Sequence, residues 1–334
     1  MLQTELTTRF GLDVPIAQAG MAFAGMTPAL AAAVAEAGGL GSIAVGAAPP
    51  PAVEAFAGGF AQAAPGKPLN LNFITVFTTD EHIDAVCAAA PSVASFHWGH
   101  PKPEWIARLS EAGVSVWEQV GTVERAVEAV DAGVEVVVAQ GLEAGGHNFA
   151  TLPTFAFVPA VADAVGDRAL VLAAGGIVDG RTLAAALALG ADGAWVGTRL
   201  VATPQSSAAA EYKARLVGAS GVDTVRTSMF GPDMPDFNPM RVLRNGIVAE
   251  FEADPGAVPD SLEGQPIVGR MDLLGQPMDL PRFTNFVPMA GAEGDFDQLP
   301  LLAGQGVGGI DAIDDATGIV RTMAADAARL LGRA

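Results

Sequence analysis

Short apolar runs and helix-like stretches alternate eight times before residue 200, and no other property of this chain limits its fold so strongly. The runs VPIAQ (14–18), LGSIAV (40–45), LNLNFI (69–74), SVASFHW (92–98), VSVWEQV (114–120), VEVVVAQ (134–140), ALVLAAG (169–175) and DGAWVG (192–197) read as strands. Between them stand segments such as MTPALAAAVAEAGG, KPEWIARLSEAG and TVERAVEAVDAG, with apolar residues three and four apart and glycine at the end. Strands that are apolar nearly throughout, each followed by a helix, belong to a parallel sheet covered on its outer face. Eight such units predict an α/β fold, a (β/α)8 TIM barrel; a doubly wound sheet satisfies the same pattern.

The rhythm stops near residue 220. We read residues 1–221 as the barrel, 222–300 as an irregular appendage or small domain near the barrel mouth, and 301–334 as a C-terminal segment. In that last part DAIDDATGIVRTMAADAARLL forms an amphipathic helix that packs back on the barrel. The middle part is rich in Pro, Gly, Asp and Met; its internal fold is not readable, and a structural lid and a substrate-selecting one are equally open.

Composition narrows the partners. With 334 residues, half of them hydrophobic, the chain can bury a large core. A formal charge of −19 disfavours nucleic acid and anionic membrane surfaces, which attract basic proteins. The single cysteine, Cys87, forbids an internal disulfide and reads as a helix residue packed in the core. The N-terminus lacks a basic start followed by a long apolar core, and no apolar stretch is long enough for a bilayer span. A soluble, cytoplasmic protein is expected, with homo-oligomerisation open.

In a barrel the segments after each strand gather on one face, where the chemistry of this fold sits. The seventh and eighth strands run into AAGGIVDGR and WVGTR. Gly175 and Gly176 would let backbone N–H groups approach an anion near the helix that begins at Asp179, and Gly197 and Thr198 would add amides and a hydroxyl. Phosphate held by these two loops is a recurring feature of the fold. The sixth strand runs into QGLEAGGHNF, which places His147 behind two glycines. His97 and His100 in SFHWGHP lack nearby acidic or cysteine partners, so no metal site is expected. Glu143 reads as loop scaffold, Trp195 and Tyr212 as packing, Asp179 as a helix cap and Asp192 as a turn residue.

These segments, QGLEAGGH, GGIVDGR, GADGAWVGTR and the opening PIAQAGMAFAGMTPALAAAVAEAGGLGSI, resemble the FMN-dependent nitronate monooxygenase family, formerly called 2-nitropropane dioxygenases. The similarity runs from about residue 5 to 218 and returns at LPLLAGQGVGGI. The resemblance implies bound FMN, with Gly20 and Met21 against the isoalloxazine edge and Asn72 and Gln119 hydrogen-bonded to the ring system. It implies that Gly145 and Gly146 let the chain pass close to the flavin, and that Gly175, Gly176, Gly197 and Thr198 bind its phosphate. Several members carry lysine where Gln119 stands, so this site lacks one positive charge. His147 matches the family's active-site histidine, as base or as hydrogen-bond donor, and Met21, Phe23, His97, Trp98 and the appendage are implied as pocket walls. The implied reaction converts an alkyl nitronate, or a nitroalkane, with O2 to a carbonyl compound and nitrite. Flavin-dependent enoyl-acyl-carrier-protein reductases and an NADH:quinone reductase share the scaffold, so an NAD(P)H-dependent reductase and a non-catalytic flavin-binding protein stay open.

Overall fold

The computed structural model describes residues 2–333. Its centre is a parallel barrel and not a doubly wound sheet. The strands β1 (Ile16–Gln18), β2 (Gly41–Gly46), β3 (Leu69–Ile74), β4 (Val93–His97), β5 (Ser115–Val120), β6 (Val136–Gln140), β8 (Leu170–Ala174) and β9 (Gly193–Val196) pair in chain order, and β1 also pairs with β9. A parallel bridge from Ala17 to Leu40 closes the ring between β1 and β2. The two-residue strand β7 (Gly146–His147) lies outside this ring.

Alternation along each strand sorts the core into two layers. Trp117, Val136, Val138, Leu170, Leu172 and Trp195 fill the barrel interior, and the N-terminal helix Glu5–Phe10 adds Leu6 there, with the Phe10 ring edge-on to Trp117 at 5.0 Å. Their neighbours Val116, Val137, Ala139, Val171, Ala173 and Ala194 face the helices. A register slip of one residue would exchange these sets, so the double burial fixes the register. The same parity turns Gln119, Gln140 and His97 inward at the strand ends, and turns Glu118 outward.

After the barrel the chain forms two small antiparallel sheets. One contains β10 (Thr224–Thr227), β11 (Met240–Leu243) and β7. The other contains β12 (Ile267–Leu273), β13 (Gln276–Pro281) and β14 (Glu293–Gly294). The C-terminal helix Ala316–Leu330 packs on the helices Gly180–Ala188 and Pro28–Glu36. Among the described residues no helix is long and apolar enough to cross a membrane.

Candidate functional site

A cavity of about 820 Å³ opens at the C-terminal ends of the barrel strands. Gly20, Met21, Asn72, Gln119, Gly145, Gly146, His147, Gly175, Gly176, Gly197 and Thr198 all line it, as do Phe23 and His97. Trp98, expected as a pocket wall, is not in the lining; it stands behind His147. The strand β4 ends at His97, and Trp98 turns out of it with φ +69°, so the inward and outward alternation stops one residue earlier than the sequence suggests.

The loops after β8 and β9 form a cradle. Gly175 and Gly176 have φ of +106° and +74°, a region that disfavours side-chain-bearing residues. The backbone N–H groups of Gly175, Gly176, Gly197 and Thr198 have no hydrogen-bond partner among the described residues. Asp179 caps its own helix by accepting from the Thr182 amide at 2.9 Å, and the Thr182 hydroxyl accepts from Val178 and Asp179. The amides left for an anion are therefore those upstream of the helix, on the two glycines. Two buried polar atoms of lining residues are also unpaired, Gln140 Oε1 and Trp195 Nε1. An unpaired buried donor or acceptor is costly in a finished interior and is satisfied when a polar ligand fills the space. Free amides on one side and a free acceptor and donor on the floor fit a phosphorylated, ring-bearing cofactor such as FMN.

Glycines elsewhere serve close packing of the chain itself. A Cβ on Gly20 would stand 2.0 Å from Asn72 Oδ1. Only glycine there lets Asn72 reach Ser95, to whose hydroxyl it donates at 2.9 Å. A Cβ on Gly145 would lie 2.5 Å from the Gly304 nitrogen, so the clearance that the resemblance implied for a flavin is needed in this protein by the returning segment 303–304.

His147 is built from both halves of the molecule. Through β7 it pairs with Met240 of β11, and its Nδ1 lies 2.5 Å from the Phe237 carbonyl oxygen. A carbonyl only accepts, so Nδ1 carries the proton and Nε2, which has no hydrogen-bond partner among the described residues, holds the lone pair. Burial pulls the imidazole pKa below its ordinary value, opposed by the Phe237 hydrogen bond. The loop is clamped from behind. Arg241 donates to the Leu142 carbonyl at 3.0 and 3.2 Å, Arg226 donates to Asn148 O at 3.0 Å, and the Asn148 amide reaches the carbonyls of Gly141 and Ala144. Glu143 accepts from the Thr154 amide and hydroxyl at 2.7 and 2.9 Å, which ties the loop to the next helix.

His97 is neutral at physiological pH, its pKa pushed down to about 4 by burial and by the neighbouring His147. The Gln119 amide nitrogen lies 3.2 Å from its Nδ1 and 3.3 Å from its Nε2. Among the described residues no carboxylate lines the cavity, and the one cationic side chain that does, Arg199, is paired with Asp314 at 3.0 Å. An acidic protein thus keeps its negative charge away from a site suited to anions. Among the described residues no group of three or more His, Cys, Asp or Glu is placed to hold a metal.

Sequence reasoning missed Gln140, the free indole N–H of Trp195, and the contributions of Phe237, Arg226 and Arg241. Gln140 carried a signal, a polar residue ending an apolar strand in the parity of Val136 and Val138. The others lie in a segment with no period to read.

Comparison with known proteins agrees with this geometry. Residues 49–326 match the model of the nitronate monooxygenase family. A nitronate monooxygenase of Paraburkholderia phytofirmans is 35% identical over 265 residues, 65% of this chain and 71% of that protein. A (3aS,4S,5R,7aS)-5-hydroxy-7a-methyl-1-oxo-octahydro-1H-indene-4-carboxyl-CoA dehydrogenase of Mycobacterium tuberculosis is 35% identical over 256 residues, 75% of this chain and 69% of that protein. The solved structure of FabK from Thermotoga maritima superposes with a TM-score of 0.83 at 33% identity, covering 100% of this chain and 98% of the other. The barrel, the cavity at its mouth and these matches lead to one conclusion: the chain is an oxidoreductase scaffold that belongs to the nitronate monooxygenase family.

Proposed function

We propose that this protein binds FMN in the cavity and uses it to oxidise alkyl nitronates with O2 to a carbonyl compound and nitrite, and that His147 accepts the proton when the substrate arrives as a neutral nitroalkane. The observation that carries this reading is the His147 tautomer: with Nδ1–H committed to Phe237, Nε2 is a lone pair on a neutral ring that lines the cavity. Nitroalkanes are unusually acidic carbon acids, so a single imidazole suffices as base. Bound FMN supplies the electron-transfer and oxygen chemistry that no side chain here provides. The residues of the chain do the rest. The free amides at Gly175, Gly176, Gly197 and Thr198 take the phosphate, while Asn72, Gln119, Gln140 and Trp195 offer polar groups to the ring and ribityl parts. Met21, Phe23 and the aromatic wall exclude water. A cavity free of carboxylates accepts the anionic nitronate without repulsion.

A second reading is an oxidoreductase that acts on a CoA-linked acid, favoured by the match to the dehydrogenase of that kind. The cavity offers no free cation to a nucleotide diphosphate, which weighs against it. The two separate on FMN-loaded protein. Oxygen uptake with stoichiometric nitrite on adding an alkyl nitronate supports the first reading. Bleaching of the flavin by an acyl-CoA under anaerobic conditions, with no response to nitronate, replaces it with the second.

A further inference from the structure

Trp98 stands where chance packing gives a poor account of it. It is a bulky residue held at φ +69°, followed by Gly99 at φ +114°, a conformation that persists only when the surroundings enforce it. The surroundings are specific. The indole N–H donates to the Asp236 carbonyl at 2.8 Å, across 138 residues of sequence. The ring is stacked on Phe237 at 5.2 Å and stands edge-on to His147 at 5.3 Å. Phe237 is also stacked with Phe77 of the barrel at 5.2 Å, and its carbonyl is the acceptor of His147 Nδ1–H. The short turn Pro235–Phe237 is therefore fastened to the barrel by two aromatic rings and one hydrogen bond, all within one residue of the carbonyl that sets the tautomer.

We propose that Trp98 is a positioning residue for His147. It pins the Pro235–Phe237 turn so that the Phe237 carbonyl holds the proton on Nδ1 and leaves Nε2 to face the substrate. The inference rests on the reading of His147 as the base. A neutral imidazole in water populates both tautomers, so selection of one requires an acceptor fixed in place. A loop residue free to move would not supply it. His97, the other imidazole beside Trp98 at 5.2 Å, is engaged by Gln119 and has no hydrogen bond to this turn.

The test uses FMN-loaded protein with 15N-labelled histidine. The chain has four histidines, and the signal missing in His147→Gln assigns the one of interest. At mildly alkaline pH the wild type is expected to show His147 with a protonated, pyrrole-type Nδ1 and a pyridine-type Nε2. Trp98→Ala is expected to show averaging toward the other tautomer, and Trp98→Phe, which keeps the stack and loses the N–H, a smaller change. In kinetics, Trp98→Ala should lower kcat/KM for a neutral nitroalkane by about tenfold or more, out of the roughly 10²–10⁴ that a general base contributes. Turnover of the preformed nitronate, which has already lost its proton, should hold near the wild-type level. An unchanged tautomer in Trp98→Ala and Trp98→Phe, or equal losses on both substrates, overturns the positioning role and leaves the base reading standing. Unimpaired nitroalkane turnover by His147→Gln overturns the base reading itself.

Discussion

Glu118 gives the sharpest quantitative expectation. It lies on β5 beside Gln119 but points to the helix layer, and only 3% of its surface is exposed. His100 Nδ1 is 2.6 Å from its Oε1, a close contact that lacks hydrogen-bond alignment, and its Oε2 has no partner. The other ring nitrogen of His100 meets the exposed Glu128 at 3.0 Å, and Arg125 lies nearby. Burial, joined weakly by the Glu128 charge, wins over His100 and Arg125 and raises the Glu118 pKa from 4.5 to about 7. The folded carboxyl thus holds its proton more tightly than the unfolded one, so the native state binds more protons in that window and stability falls as pH rises through it. At 1.36 kcal/mol per pH unit the full loss is ~3 kcal/mol, complete above about pH 7. For a chain of this length the unfolding entropy is ~0.7 kcal/mol/K, so the loss corresponds to ~4 °C in Tm. Glu118→Gln keeps the shape and removes the charge. By scanning calorimetry its Tm should lie only ~1 °C above the wild type near pH ~5 and exceed it by ~4 °C near pH ~8.5, on those same magnitudes. A difference between the two proteins that stays constant across that range would show that Glu118 is already ionised in the fold and would refute the reasoning.

Other expectations follow from single contacts. Because burial lowers the His147 pKa, kcat/KM for a neutral nitroalkane should be flat at neutral pH and fall only below the ordinary histidine value of about 6.5. A limb centred above that value would place the essential base elsewhere. Arg241→Met removes both charged donors to Leu142 O and leaves that carbonyl only the 3.3 Å hydrogen bond from the Asn148 side-chain amide; it should cost about 1–3 kcal/mol in urea unfolding. Gly145→Ala drives a Cβ into the 303–304 backbone. It should destabilise by about 1–3 kcal/mol and weaken FMN retention, read by equilibrium dialysis, whereas unchanged values would mean that the segment yields freely. Asp179→Ala deletes a capping box and should lower stability by about 1 kcal/mol with FMN affinity little changed, since the cradle amides lie upstream of the cap.

The eight strands were legible because a parallel strand buried on both faces is itself an apolar run; closure into a barrel was not, because a doubly wound sheet has the same alternation and only the pairing of β1 with β9 and the bridge from β1 to β2 distinguish the two. Strand β3 begins and ends where the LNLNFI run does; β2 is shifted by one residue, ending at Gly46, and the others lose one or two residues at one or both ends. The cavity lining was legible for a related reason. The glycines named from the sequence follow barrel strands, and Asn72, Gln119 and His147 sit in the C-terminal half of a strand or in the loop beyond one; topology alone brings these ends together. Trp195 shows the limit of this logic. Its ring packs on Trp117 at 6.2 Å as a core residue should, yet its N–H is unpaired beside the cavity, and no periodicity distinguishes a satisfied indole from a free one. Arg226 and Arg241 were invisible because they act on carbonyls 78 and 99 residues away.

Those two arginines face each other across β10 and β11, and among the described residues no carboxylate forms an ion pair with either, in a chain that carries 37 acidic residues. Burial lowers both pKa values, and the Arg226 charge lowers that of Arg241 further, opposed by Glu143. Such a pair is tolerated when backbone carbonyls satisfy the guanidinium donors, and here the carbonyls belong to the loop that bears His147. The segment after the barrel therefore does two things to one imidazole. It holds the loop through Arg226 and Arg241, and it directs the ring proton through Phe237. The barrel by itself supplies the amide cradle from its own strand ends. On this reading, changes within residues 222–300 would redirect the chemistry while leaving the phosphate end of the proposed cofactor site intact.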